Sequence, residues 1–223
     1  MMLDAPDEKL AAALTDVRRA FRLLWAFQRR VLDYNKIAYE RLAFTEWAPS
    51  SLLGTAARTG NASWTHLPMA DMEFRAFRRH SDEEYSTGKR WEEFPRANDA
   101  VLYMRMRADT GMPLIVRNDP SPLTFEAAER CQTKLLMFIV LNRIDRDQPA
   151  PMWAASDACR AILVCQEKAT EHPTITGYSI FGQDVDLAAL PDEGNLVRWI
   201  DDFKRAAESA LGVNFSDLPS SGW

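Results

Sequence analysis

Lys134, Leu135, Leu136, Met137, Phe138, Ile139, Val140, Leu141, Asn142, Arg143, Ile144 and Asp145 form the stretch on which the fold turns. Seven of them, Leu135 to Leu141, run on without a polar residue. A strand with one wet face would alternate, so this segment reads as a central strand covered on both faces. A buried helix continuing from residue 122 would carry the same signature, because periodicity alone does not separate the two.

The segments before it read as strands and leave the helix open as the alternative for the apolar run. From Asp71 to Phe77, apolar Met72, Phe74 and Ala76 alternate with Asp71, Glu73 and Arg75. From Asp99 to Asp109, Leu102, Met104, Met106 and Ala108 alternate with Tyr103, Arg105 and Arg107. Both have period two and one expected wet face. Asp109, Thr110 and Gly111 read as a turn, and Ser121-Pro122 as the start of a short helix through Cys131. After the apolar run, Cys159 to Lys168 and Thr174 to Phe181 supply two more strands, joined by a turn at Glu171, His172 and Pro173.

Helices close both ends. Leu10, Leu14, Val17, Phe21, Leu24, Gln28, Val31, Asn35, Ala38 and Leu42 step alternately by four and three over residues 7–42, a heptad seam that no Gly or Pro interrupts. Trp25, Leu32 and Tyr39 widen the stripe on one flank, and Ala20, Phe27 and Tyr34 on the other. Such a stripe is wider than a two-stranded seam uses, so the helix is expected to lie across a sheet. Leu196, Val197, Ile200, Phe203, Ala207, Ala210 and Leu211 share one face of a second helix, which Gly212 closes. Consecutive strands with short links imply an antiparallel sheet. The expected fold is therefore α+β, an antiparallel sheet of about five strands packed with a long N-terminal helix and a C-terminal helix. One domain is expected over 1–223, with 1–6 and 213–223 loose and 43–70 a long irregular connection.

Composition narrows the function classes. At 223 residues, 47% hydrophobic and 26% charged, the chain is that of a globular protein able to bury a core without staples. The acidic N-terminus lacks a signal sequence, and seven apolar residues fall far short of the ~20 that span a bilayer. Three cysteines, Cys131, Cys159 and Cys165, have no paired spacing. Free thiols in the cytoplasm are the simplest expectation. The net charge of −5 repels phosphate and argues against nucleic acid. It is unevenly spread: residues 7–41 hold eight basic against five acidic side chains, residues 184–217 three against eight. A basic head and an acidic tail can attract each other within the fold or between copies.

No phosphate loop, dinucleotide fingerprint, zinc spacing or nucleophile elbow occurs; Gly177 to Gly182 misses the last by one residue. Asp145 with Gln166, Glu167 and Lys168 loosely matches a nuclease metal motif. In a sequential meander, however, Lys168 would lie roughly 25–30 Å from Asp145. The same meander would gather His80, Asp82, Glu83, Asp99, Asp145, Asp147 and Asp157 at one sheet edge. His80, Asp99 and Asp145 are the candidates there for a divalent metal, with one carboxylate as general base of a metal-dependent hydrolase. Against this, acidic residues simply favour turns. Arg105 and Arg107, on the wet face, are candidates to receive a partner's carboxylates. Trp47 and Trp64, in the long connection, are candidate interface anchors. The first expectation is thus a binding or regulatory module without catalysis or cofactor, working through a protein partner or a second copy of itself in a homodimer. The metal-dependent hydrolase is the alternative.

Overall fold

The computed structural model describes residues 8–46, 71–78, 95–111, 125–146, 166–171 and 176–215. Helix α1 (Glu8–Leu42) leads into β1 (Thr45–Glu46), followed by β2 (Asp71–Arg78), β3 (Ala100–Arg107), β4 (Lys134–Asn142), β5 (Gln166–Glu171), β6 (Tyr178–Asp186) and helix α2 (Glu193–Leu211). All strand pairs are antiparallel, in the order β1-β2-β3-β4-β6-β5. The fold is α+β, and the apolar run is its central strand. β4 bonds to β3 on one side and to β6 on the other. Residues 121–124 lie outside the described part, and Ala128–Arg130 form a single exposed 3-10 turn where a short helix was expected.

Two expectations are corrected. A sequential meander would place β5 beside β4, but β6 takes that position and β5 becomes the edge. Composition explains the exchange. β6 brings Tyr178, Ile180 and Phe181, all buried, to the interior of the sheet. β5 reads Gln-Glu-Lys-Ala-Thr-Glu and carries an irregularity between Gln166 and Thr170. Polar composition and broken register suit an edge, where one row of backbone groups meets no neighbouring strand. The second correction concerns the face expected to be wet. Tyr103 is buried and Arg105 is only 6% exposed. Val101, Tyr103, Val140, Tyr178 and Ile180 form a second apolar cluster there, with Phe77 and Phe138 packed against it. Phe138 stacks on Tyr103, ring centroids 4.7 Å apart, and lies directly opposite Gly182 in the ladder. A Cβ at Gly182 would come within 2.9 Å of the Phe138 Cβ, so this glycine makes room for the ring.

The main core lies on the opposite face, under both helices. Phe74, Ala76, Leu102, Met104, Met106, Leu135, Met137, Ile139, Leu141 and Phe181 point into it from the sheet. Leu196, Ile200, Phe203, Ala207 and Leu211 meet them from α2, on the face that the sequence spacing marks. The Asp192 side chain accepts from the Asn195 N–H at the start of α2, and Gly212, in the left-handed region at φ 64°, ends it.

α1 and α2 run side by side in the same direction. Arg30 Nη2 donates to the Leu190 and Pro191 carbonyls just before α2 begins. Just over two turns into α2, Asp201 receives both Nε and Nη2 of Arg41, at 2.8 and 2.5 Å. The Arg41 guanidinium holds the Asp201 carboxyl below its ordinary range. Basic head and acidic tail thus meet within the chain at this point. At the end of α1, buried Arg78 donates Nη1 to the Leu42 and Ala43 carbonyls, a cation placed at the negative end of the helix. Burial lowers the Arg78 pKa.

Candidate interaction site

One heptad stripe meets two environments. From Val31 to Leu42 the seam positions Val31, Asn35, Ala38 and Leu42 are buried, together with the flanking Tyr34 and Tyr39. Asn35 sits fully inside this contact. Its Nδ2 donates to the Val31 carbonyl at 2.9 Å, while Oδ1 is buried without a hydrogen-bond partner among the described residues. Further toward the N-terminus the same seam continues as Leu24, Phe21, Val17, Leu14 and Leu10, and all five are exposed. Phe21 is 61% exposed, and Trp25 beside it 63%. The expectation that the whole helix lies across the sheet therefore holds only for its C-terminal half. Periodicity marks an apolar face but not what covers it.

This N-terminal half forms an arm of about 27 Å, from 18 residues at ~1.5 Å each. Its polar side is basic, with Arg18, Arg19 and Arg22. Arg18 bonds Thr15 and Arg19 pairs with Asp16, both one turn away along the helix. Exposed pairs of this kind stabilise little. At the base of the arm Trp25, Gln28, Arg29, Leu32 and Asp33 line a shallow depression. There the Arg29 guanidinium lies 5.8 Å from the centre of the Trp25 ring. Sequence reasoning found the seam but not its exposure. The signals available were Gln28, the polar seam residue at the point of exit, and the run of arginines beyond it.

The candidates of the acidic edge are partly brought together. Asp99 Oδ2 accepts from the Arg96 N–H at 2.8 Å, and Asp145 Oδ1 from the Ala97 N–H at 3.0 Å. Both carboxylates thereby hold the turn that opens β3. Asp99 is buried and Asp145 exposed. Asn142 completes the latch, its Nδ2 reaching the Pro95, Arg96 and Ile144 carbonyls and its Oδ1 accepting from Arg146 Nε. Arg146 lies over the Tyr178 ring at 4.2 Å. Burial pushes the Tyr178 phenol up to about 12. With β6 beside β4, this edge gathers the end of β4 and the start of β6, not the start of β5. His80, Asp82, Glu83, Asp147 and Asp157 lie outside the described residues. Among the described residues, no group of three His, Cys, Asp or Glu side chains is placed to hold a metal ion.

Arg105 stands opposite Glu73 and Arg107 opposite Asp71. Arg107 is half-buried and donates to the Thr110 carbonyl at 2.8 Å. Trp47 and Trp64 fall outside the described residues, as do Cys159 and Cys165. Cys131 is a free thiol whose pKa burial raises, with Asp109 adding to the shift. No helix among the described residues is long and apolar enough to cross a membrane.

A family defined over nearly the whole chain matches this sequence. The match covers residues 7–212, from the first turn of α1 to the cap of α2. The protein belongs to the PM0109 family. No curated protein and no solved structure matches the chain.

Proposed function

We propose that this protein is a cytoplasmic binding or regulatory module that acts through protein–protein contacts, with the N-terminal half of α1 as its contact surface. The observation that carries this reading is the run of exposed seam residues from Leu10 to Leu24 on a helix whose continuation is buried. Helices in proteins draw most of their stability from packing an apolar face. Contiguous apolar surface of this extent marks interaction sites. Trp47 and Trp64 are proposed as further anchors.

The test is light scattering and sedimentation of the protein and of Phe21→Glu across micromolar concentrations, alone and with candidate partners. The expected result is a species heavier than the 25.4 kDa chain that the variant loses while its melting curve is retained. A monomer that binds nothing through this helix, with Phe21→Glu behaving as the parent, would remove the reading.

A further inference from the structure

We infer that the occupant of the arm is the arm of a second copy, laid alongside it in the opposite direction. The inference rests on the reading of α1 as a contact surface and deepens it by naming the partner and its orientation.

Three observations carry it. The first is area. Seven large apolar side chains on the seam side of α1 are exposed, between 36% and 63% each. A bare aromatic presents about 150–250 Å², so together they offer roughly 600–800 Å². That approaches the ~800 Å² that each partner of a standard interface contributes.

The second is self-complementarity. In antiparallel coiled pairs, each seam residue of one kind faces the other kind on the partner. A register that pairs Leu10 with Phe21 and Leu14 with Val17 leaves Leu24 opposite Asp7. The register one heptad longer sets Leu14 against Leu24 of the second copy, Val17 against Phe21 and Leu10 level with Gln28, and keeps all five exposed seam residues within the overlap of the two arms. The pairing is two-fold symmetric, as an isologous interface requires. The tip of each arm then ends at the depression lined by Trp25, Gln28, Arg29, Leu32 and Asp33 of the other copy. The polar seam residue lies at the margin, where solvent reaches it, and not in the middle of the contact.

The third is exclusion of the parallel alternative. The seam that is exposed in the arm is the seam that each helix buries against its own sheet and α2 from Val31 onward. In a parallel pair with seams facing, both bodies would occupy the same space between the two helices. In the antiparallel pair each body sits beyond the tip of the other arm.

The experiment uses the full chain with Cys131, Cys159 and Cys165 replaced by Ser and single labels at Ala12→Cys or Ala26→Cys. Both alanines are exposed and lie on the side of α1 away from the seam. Distances between labels in the dimer are read by pulsed electron resonance, in Ala12→Cys alone and in a mixture of the two variants. In the antiparallel pair the Ala12–Ala26 distance is shorter than the Ala12–Ala12 distance by about 10 Å, given ~1.5 Å of rise per residue. The reverse order would overturn the orientation and leave the contact surface standing. In parallel, Leu14→Glu and Phe21→Glu are each expected to weaken the dimer at least about 100-fold. A dimer that survives both substitutions uses another surface and overturns the inference. A monomer at all concentrations overturns it too, while binding of a different protein to the arm would show the broader reading to be intact.

Discussion

The two halves of α1 share one heptad pattern, one face and one helix, yet differ in everything that burial decides. Residues 31–42 carry Tyr34, Asn35, Ala38 and Leu42 into the core and are fastened at Arg30, Arg41 and the helix end. Residues 10–25 carry leucines, a phenylalanine and a tryptophan of equal or greater hydrophobicity, and leave them in water. An apolar stripe is a capacity for contact, and the chain itself uses only half of this one. The unused half is the surface proposed for contact with a second copy.

The comparison is sharpest when the same substitution is made in both halves. Leu42→Ala removes a fully buried side chain and is expected to destabilise the fold by about 2–5 kcal/mol in urea unfolding. Leu14→Ala, measured where the protein is monomeric, is expected to change unfolding by less than about 0.5 kcal/mol, as surface changes do. Equal losses at the two sites would mean that the arm is packed within its own chain, and the contrast would collapse.

Next in size is a change confined to the sheet, which should leave the arm untouched. Gly182→Val drives two methyl groups toward Phe138, whose Cβ lies 2.9 Å from where the first side-chain carbon would sit. A cost of about 1–3 kcal/mol is expected. Self-association at a temperature where the variant is folded should be unchanged. A loss of association here would tie the contact surface to the sheet and not to the arm.

The body is also expected to show an alkaline transition that the arm does not share. Tyr178 ionises in the fold only at about 12, against an ordinary value of 10.0. A folded pKa above the unfolded one gives stability that is complete below pH 10 and is lost as pH rises toward 12. Absorbance titration should show a phenol that ionises near 12 and that Tyr178→Phe removes. Tyr178 ionising at its ordinary value of 10.0 would mean that the second cluster is open to water.

The smallest effect lies at the C-terminal end of α1. Ala43 adopts φ 54°, the left-handed region that suits glycine. Ala43→Gly is expected to stabilise the protein by about 0.5–1 kcal/mol in chemical unfolding, again without altering the arm. A destabilised variant would show that the loss of chain entropy outweighs the relief of strain at this cap.

Much of the architecture was legible in residues 1–223 because it depends on local repetition. The α1 seam, the α2 face and the Gly212 cap follow from spacing and from one backbone preference. The central position of β4 follows from an apolar run with no wet side. The acidic edge was legible only in part. Asp99 and Asp145 were picked out as acids near a shared edge, but their bonds to the turn at residues 95–98 could be seen only once both strands were in place. Asn142, Arg146 and Arg78 escaped notice because nothing in their neighbours in sequence marks a polar side chain that caps a distant segment.

What the amino-acid order determined by itself is the apolar stripe of each long helix and the alternation that marks β2 and β3 as strands. These follow from side-chain direction along a regular backbone, repeating every 2 or 3.6 residues. What only the tertiary structure decided is what meets each face. β6 outcompetes β5 for the side of β4, Tyr103 ends in a buried cluster and Arg105 is buried on the same face, and one stripe on α1 is covered from Val31 onward and bare up to Leu24. Those outcomes rest on contacts between residues far apart in the chain, where competition among several apolar surfaces for the same space selects the arrangement, and no local period records the winner.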